Sequence, residues 1–354
     1  MSSILFFDPS CQQPYDTRTL EHRATGGTEA SVTRVADVLD AYVIQHNRTE
    51  IYGRYRSPQR IAGVERVVLN RDSRALPIVR ELYPHARIYL WVHDQLHPGS
   101  KRGRRLASTA RLLRDMEVTI VCVSDSQRRG VEATLRDIGV ADAVRAVTIY
   151  NPVDEELAPD GTPVDERKLV FFSSPNKGLH FALDAFRTLR RAMPDLRLVV
   201  GNPGYKASRV TSVTGVEFLG ARPQASIHAE VRSSLCTFVP NFMVPETFGL
   251  VFAESHALGT PVLTVDCGAA LEIVGDPQQV LPVRCAWRLY EIAVGAISPR
   301  WRAAPGRLAA AAGLFDAYVE RIRSWRCGAR PLTGPDSRFR LSTVAERWRA
   351  LLSS

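Results

Sequence analysis

The sequence predicts an α/β protein of two doubly wound domains, each a parallel sheet flanked by helices. Three observations carry this. The chain has 354 residues, enough for two domains at roughly 100–200 residues each. Short β-branched or apolar runs alternate with amphipathic stretches in the first half. After an acidic stretch rich in proline and glycine (151–167), the same alternation starts again.

In the first half, Ile4–Phe7, Val64–Leu69, Arg87–Val92, Val118–Ser124 and Ala146–Tyr150 read as strands. The run Thr119-Ile120-Val121-Cys122-Val123 is apolar almost throughout, as a strand buried on both faces requires. Thr28–His46, Arg74–Leu82, Arg102–Arg114 and Gln127–Ile138 place apolar residues three and four apart and read as helices. In the second half the strands are Lys168–Phe172, Leu196–Val200, Val216–Leu219, Leu235–Val239 and Pro261–Val265. The helices there are Leu179–Ala192, Gln224–Arg232 and Phe248–Leu258. Beyond about residue 280 the chain is rich in Arg, Ala and Trp and reads as helical. The expected domains are 1–152 and 153–330, with 331–354 as a C-terminal helix packing back on the first domain.

Apolar residues make up 45% and charged residues 23%, a globular balance that excludes disorder and collagen-like repeats. No apolar run approaches the ~18 residues of a membrane span. Ile4–Phe7 is too short, and lacks the basic flank, for a signal peptide, so a cytoplasmic location is expected. The six cysteines form no C-x-x-C pair and are expected to be reduced thiols, several inside apolar strands.

Lys plus Arg is 46 against 37 Asp plus Glu, a net charge of +9. Eleven Arg lie in 299–354, against only Asp316, Glu320, Asp336 and Glu346. A second basic cluster holds Lys101, Arg102, Arg104, Arg105, Arg111 and Arg114. Its plain reading is a solvated helix face. Its functional reading is a surface for an anionic membrane or a phosphorylated, lipid-linked acceptor. Nucleic acid is not expected, because no recognition motif accompanies the charge.

Three places can carry chemistry. Thr25-Gly26-Gly27-Thr28-Glu29 is a glycine pair at a helix start, where backbone can approach an anion closely. By itself such a pair is more often only a turn. Ser173-Ser174-Pro175-Asn176-Lys177-Gly178 sets a lysine at a strand end before a helix, which suits a diphosphate or a plain turn equally. Pro245-Glu246-Thr247-Phe248-Gly249-Leu250 leads to Glu254, eight residues after Glu246. At ~3.6 residues per turn that spacing puts both carboxylates on nearly one helix face. His93, Asp94 and His97 are spaced too irregularly to predict a metal site, and no Asp-x-Asp motif occurs.

At this point the sequence resembles a family. Val239–Val274, with its paired glutamates, Phe-Gly-Leu, Gly259-Thr260-Pro261-Val262 and Glu272-Ile273-Val274, is similar to the donor-binding signature of family-4 retaining glycosyltransferases of the GT-B fold (glycosyl transferases group 1). Gly26-Gly27-Thr28-Glu29, Ser124, Asn151-Pro152-Val153-Asp154, Lys177-Gly178 and Phe218-Leu219-Gly220 follow in the family's order, so the resemblance covers roughly 20–275.

The resemblance implies two Rossmann-like domains facing each other across a cleft. A nucleotide-diphosphate sugar, linked to UDP or GDP, would bind the second, and a glycan or lipid-linked acceptor the first. A hexosyl unit would be transferred with retention, without metal or cofactor, in surface polysaccharide or lipopolysaccharide-type biosynthesis. Glu246 would bond sugar hydroxyls, Glu254 the ribose, and Lys177 the diphosphate. Thr247 belongs to the same donor loop, and the amides of Phe248, Gly249 and Leu250 would face sugar and phosphate. Gly26 and Gly27 would pack on the phosphates, and His93 would lie near the reacting sugar.

The sequence departs from the family pattern in one place. Family members carry an arginine shortly before Lys-Gly, where this chain has Phe171, Phe172, Ser173 and Ser174. The two serines can donate hydrogen bonds but bring no charge. That absence keeps a second class open, a basic non-catalytic scaffold of the same fold. A nucleotide-sugar epimerase is the enzymatic alternative.

Overall fold

The computed structural model describes residues 3–97, 99–202, 212–242, 244–282 and 313–354. The described chain divides into two units. Unit 1 comprises Met1–Thr19, Gly27–Glu155 and Ser337–Ser354, and unit 2 comprises Leu20–Gly26 and Glu156–Asp336. The chain thus crosses after Glu155 and again after Asp336, where the sequence placed the crossings after 152 and 330. Leu20–Gly26, expected in the first domain, groups with unit 2.

Unit 1 is built on seven strands: β1 (Ile4–Asp8), β2 (Tyr42–Gln45), β3 (Tyr55–Arg56), β4 (Arg66–Asn70), β5 (Arg87–Val92), β6 (Thr119–Cys122) and β7 (Ala146–Thr148). Their order is β3-β2-β1-β4-β5-β6-β7, and every pairing is parallel. Its helices are α1 (Thr17–His22, shared with unit 2 at its end), α2 (Gly27–Val38), α3 (Leu76–Leu82), α4 (Lys101–Ser108), α5 (Ala110–Asp115) and α6 (Asp125–Asp137).

Unit 2 follows with β8 (Asp165–Phe172), β9 (Arg197–Asn202), β10 (Val216–Ala221), β11 (Ser234–Val239), β12 (Val262–Val265) and β13 (Val280–Leu281). These are ordered β10-β9-β8-β11-β12-β13, again all parallel. Its helices are α7 (Leu179–Ala192), α8 (Gln224–Arg232), α9 (Leu250–Ala257), α10 (Ala270–Val274) and α11 (Leu314–Ser324), before α12 (Leu341–Ser353) returns to unit 1.

Both sheets are therefore doubly wound. In unit 1 the strand order reverses between β1 and β4, and in unit 2 between β8 and β11. In open α/β sheets the crevice beyond the strand ends at such a reversal is where ligands bind. The core that fixes these ends is apolar on both sides of the strands. Leu5, Phe7, Val67, Leu69, Ile88, Leu90 and Ile120 share one buried cluster, while Phe6 and Trp91, pointing the other way, are buried as well.

Four sequence expectations change. The helix read over Thr28–His46 stops at Val38. Asp40 sits at φ 55 and Ala41 donates back to Ala36 at 2.8 Å, and Tyr42–Gln45 then pairs with β1 as a strand. A short apolar run after a helix continues its periodicity by chance, and only the β-branched Val43-Ile44 argued against it. The helix read over Arg102–Arg114 is two, interrupted at Thr109, whose hydroxyl bonds the Leu106 carbonyl (3.0 Å) and Ser73 (2.7 Å). The third helix begins at Leu250 rather than Phe248, because Gly249 lies at φ 87. The fourth change is four short elements, α1, β3, α10 and β13, that too few periodic positions marked. Cys11, Cys122, Cys236 and Cys267 are buried free thiols and Cys327 is an exposed one; Cys285 lies outside the described residues. The basic, Trp-containing region from 283 to 312 also lies outside them.

Candidate active site

The end of β8 runs into Ser173 and Ser174, both buried, and then into a tight turn in which the Lys177 amide donates to the Ser174 carbonyl at 2.8 Å. The Ser174 hydroxyl bonds the Asn176 side chain. Gly178 then opens α7 at φ 95, a left-handed conformation that side chains disfavour. A Cβ there would stand 2.7 Å from that of Asn241, so the turn packs directly on the loop after β11. Asn241 is a site residue the sequence reading missed. Its amide donates to the Val244 carbonyl (3.0 Å) and its carbonyl accepts from the Val244 amide (3.3 Å), which shapes the approach to Glu246. An Asn after Val239-Pro240 at the end of a buried strand was the available signal.

Glu246 lies in this loop. It forms a parallel bridge with Gly268, and its carbonyl accepts from the Ala269 amide at 2.9 Å. Its carboxylate is buried. Oε2 accepts from Lys177 Nζ at 2.7 Å, while Oε1 has no hydrogen-bond partner among the described residues. A buried carboxylate oxygen without a donor is costly, and a ligand hydroxyl is the chemical complement. Cys267 adjoins it; burial first, and then the Glu246 charge, push its thiol up to about 12, so it stays protonated.

The same-face argument for Glu246 and Glu254 fails, because Glu246 precedes the left-handed Gly249 and is not on the helix. Glu254 is buried within α9, and Phe248 is buried beside the helix start. The strand ends nonetheless bring Ser173, Ser174, Lys177, Glu246, Thr247, Phe248, Gly249 and Leu250 to the reversal between β8 and β11. Gly268 is the clamp of this arrangement. At φ 69, its added Cβ would stand 2.3 Å from the Glu246 carbonyl oxygen. Gly268→Ala is therefore expected to cost more than the ~1–2 kcal/mol of a left-handed L-residue and to displace Glu246. Denaturant midpoints with nucleotide calorimetry check both effects.

Gly26 groups with unit 2 and Gly27 opens α2 in unit 1. In unit 1 the ends of β1, β4 and β5 carry a polar network. Asp8 accepts from Tyr15 Oη (2.8 Å), Asn70 Nδ2 (2.9 Å) and the Ser10 amide (3.0 Å). Arg71, at φ 67, places its guanidinium on Asp94 (3.1 and 3.3 Å). Burial would raise the Asp94 carboxyl, but Arg71 and Arg102 hold it below the usual carboxylate range. Glu29, in the first turn of α2, is raised by burial and by Asp8 and Asp94 against the pull of Arg71. Sequence reasoning missed this network because its members lie far apart along the chain. Ser124 caps α6, its Oγ accepting from the Gln127 amide (2.9 Å); Gln127 Oε1 accepts in turn from the Val123 amide (2.7 Å), and its Nε2 donates to the Asp94 carbonyl (2.9 Å).

His93 follows β5 beside Asp94. Burial, and then the Arg71 charge, pull its imidazole down to about 3, against the weaker opposite pull of Asp94. It is neutral at physiological pH. A histidine with a depressed native pKa stabilises the fold fully above its unfolded value of ~6.5 and loses that contribution as pH falls toward the native value, by up to ~1.4 kcal/mol per pH unit. Between pH 7 and pH 5 the wild type should lose about 2 kcal/mol more than His93→Gln in urea unfolding. Equal losses would show that His93 titrates normally.

The basic cluster is less free than its sequence suggests. Arg102 pairs with Asp94 (3.3 Å) and Asp72 (3.8 Å), and Arg105 with Asp72 (3.1 Å). Arg111 and Arg114 both pair with Asp115. Lys101 and Arg104 are the exposed cations of α4. Among the described residues, no three His, Cys, Asp or Glu side chains converge to hold a metal ion, and no helix is long and apolar enough to cross a membrane.

Known proteins fit this arrangement. Residues 154–283, which hold the Lys177–Glu246 pair, match the family model of the glycosyl transferases group 1. That stretch is similar to the family. Solved structures give the fold: HepE of Anabaena, crystallised with UDP-glucose, aligns over 99% of both chains with a TM-score of 0.64 at 15% identity. Sucrose-phosphate synthase of Thermosynechococcus elongatus aligns over 99% of this chain and 98% of that one, with a TM-score of 0.62 at 16% identity. Both are GT-B structures, and the two parallel-sheet units here have the same architecture.

Among curated relatives, the phosphatidyl-myo-inositol mannosyltransferase of Mycobacterium tuberculosis is 29% identical over 197 residues, 51% of this chain and 50% of that protein. An uncharacterized glycosyltransferase of Methanocaldococcus jannaschii is 23% identical over 252 residues, 68% of this chain and 64% of the other. The chain spans about half the length of the mannosyltransferases it matches. The family match covers most of the described part of unit 2 and little of unit 1.

Proposed function

We propose that the protein is a retaining glycosyltransferase that moves a hexosyl unit from a UDP- or GDP-linked sugar to a glycan or lipid-linked acceptor. The observation that carries this reading is the Lys177–Glu246 pair at the strand reversal of unit 2, with one carboxylate oxygen bonded and the other open. An ammonium has three donors. One holds Glu246, and the charge of the same cation is what we assign to the diphosphate. Glu246 Oε1 then accepts from a hydroxyl of the donor sugar, and Glu254 serves the ribose.

Such a site works by positioning and charge stabilisation rather than by an acid/base pair of carboxylates. Charge develops on the departing diphosphate, where Lys177 faces it. A phosphate oxygen on that same face takes the acceptor proton, so the new bond forms on the face the leaving group vacates and the configuration is kept. No protein nucleophile and no metal ion are needed for this course. In unit 1, the neutral His93 and the Glu29–Arg71–Asp94 network receive the acceptor, and the exposed Lys101 and Arg104 suit an anionic membrane surface. Surface polysaccharide or lipopolysaccharide-type assembly is the context in which such acceptors occur. Incubation with a labelled sugar nucleotide and candidate acceptors tests the activity, and the anomeric coupling of the product tests retention. An inverted product would overturn the mechanism while leaving the transferase.

A further inference from the structure

Tyr89, Trp91 and His93 alternate along β5 and its end, and so face one side of the sheet. The C-terminal helix α12 covers the first two. Tyr89 Oη donates to the Leu351 carbonyl at 3.2 Å, and the Trp348 ring meets Trp91 edge-on with centroids 5.0 Å apart. Phe6 of β1 closes the cluster at 6.0 Å from Trp91 and 5.9 Å from Trp348. Phe6, Trp91 and Trp348 are fully buried. The third residue of the row, His93, rests on Trp91 at 4.5 Å between ring centroids.

The register of α12 is itself fixed. The Val153 amide donates to the Phe339 carbonyl (2.7 Å) and the Leu341 amide to the Val153 carbonyl (3.1 Å). Arg340 donates to the carbonyls of Asp154 (3.0 Å) and Glu155 (2.8 Å), and the Glu155 carboxylate accepts from the Ser342 amide (3.0 Å) and hydroxyl (3.1 Å). A helix tied down at its start by these bonds, and along its length by Tyr89, presents Trp348 to one place.

We infer that Trp348 is a positioning residue for His93: it fixes the Trp91 ring on which the imidazole rests, so a side chain near the chain's end orients a group at the reacting centre. The inference rests on the proposed placement of His93 at that centre. The charged groups facing His93 are Arg71 from the end of β4 and Asp94 from its own loop, with Glu29 of α2 and Asp8 of β1 beyond them. None of these belongs to α12, so changing Trp348 alters packing and water access without altering nearby charge.

The test is the pH titration of the His93 imidazole by nitrogen-15 NMR in wild type, Trp348→Phe and Trp348→Met, with Trp348→Leu in place of the last if it does not fold. Leu113→Ala, in the cluster on the other face of the sheet, is the control for general destabilisation. Wild type, Trp348→Phe and the control are expected to show no His93 titration between pH 5 and 8. The non-aromatic variant is expected to show a midpoint inside that window, with kcat down about tenfold and donor affinity unchanged. A His93 that stays untitrated in the folded non-aromatic variant overturns the inference, as does a titration equally induced by Leu113→Ala. If no sugar nucleotide binds the wild type, the proposed function falls, while the His93 titration still decides whether Trp348 positions the ring.

Discussion

Glu246→Gln is expected to lower kcat/KM for the sugar donor about 100-fold, equivalent to about 2.7 kcal/mol of transition-state stabilisation. The carboxylate is buried and joins two functions, holding Lys177 through Oε2 and offering Oε1. Glutamine keeps the shape but loses the charge that strengthens both bonds. It also keeps the backbone bridge to Gly268, so the fold should survive. Steady-state kinetics with circular dichroism on the same sample checks the expectation. A variant of full activity would remove Glu246 from the site.

Lys177→Met should act on binding and stability together. Losing a cation from a diphosphate contact is worth about 1.5–3 kcal/mol, or roughly 10- to 100-fold in nucleoside-diphosphate affinity. The lysine is 37% exposed but its partner only 7%, so the larger structural cost falls on the stranded glutamate. Breaking a fully buried pair costs about 3–5 kcal/mol, and the exposure of Lys177 should reduce this to about 1–3 kcal/mol. The double variant Lys177→Met, Glu246→Gln should therefore be more stable than Lys177→Met alone, a coupling that denaturant melts of the full cycle measure. Additive losses would mean that the 2.7 Å pair contributes nothing to the fold.

How much of this was legible in the sequence follows from where the determinants lie. Buried parallel strands announce themselves by continuous apolarity, so β5, β6, β8 and β11 were readable and both sheets followed. Lys177 and Glu246 were readable because each stands in a short motif at a strand end. Their direct contact was not, since it depends on two loops 69 residues apart being brought together at the strand reversal. The ends of helices were the weakest reading. Asp40, Thr109 and Gly249 each terminate or interrupt a periodic run through a single backbone angle or hydroxyl bond. Arg102 and Arg105 illustrate a further limit. Sequence shows a basic cluster, but only tertiary structure shows Asp72 and Asp94 beneath it. The Trp348–Trp91–His93 row was equally hidden, because it joins β5 to a helix more than 250 residues later.

Unit 2 is expected to bind a sugar nucleotide through Lys177 and Glu246. Titration calorimetry of UDP, GDP, ADP and their common sugar conjugates against wild type and Lys177→Met tests it most directly. Saturable one-to-one binding of one nucleotide family to the wild type is expected, weakened at least tenfold in the variant. Absence of binding across the panel, or equal affinity in both proteins, would contradict it.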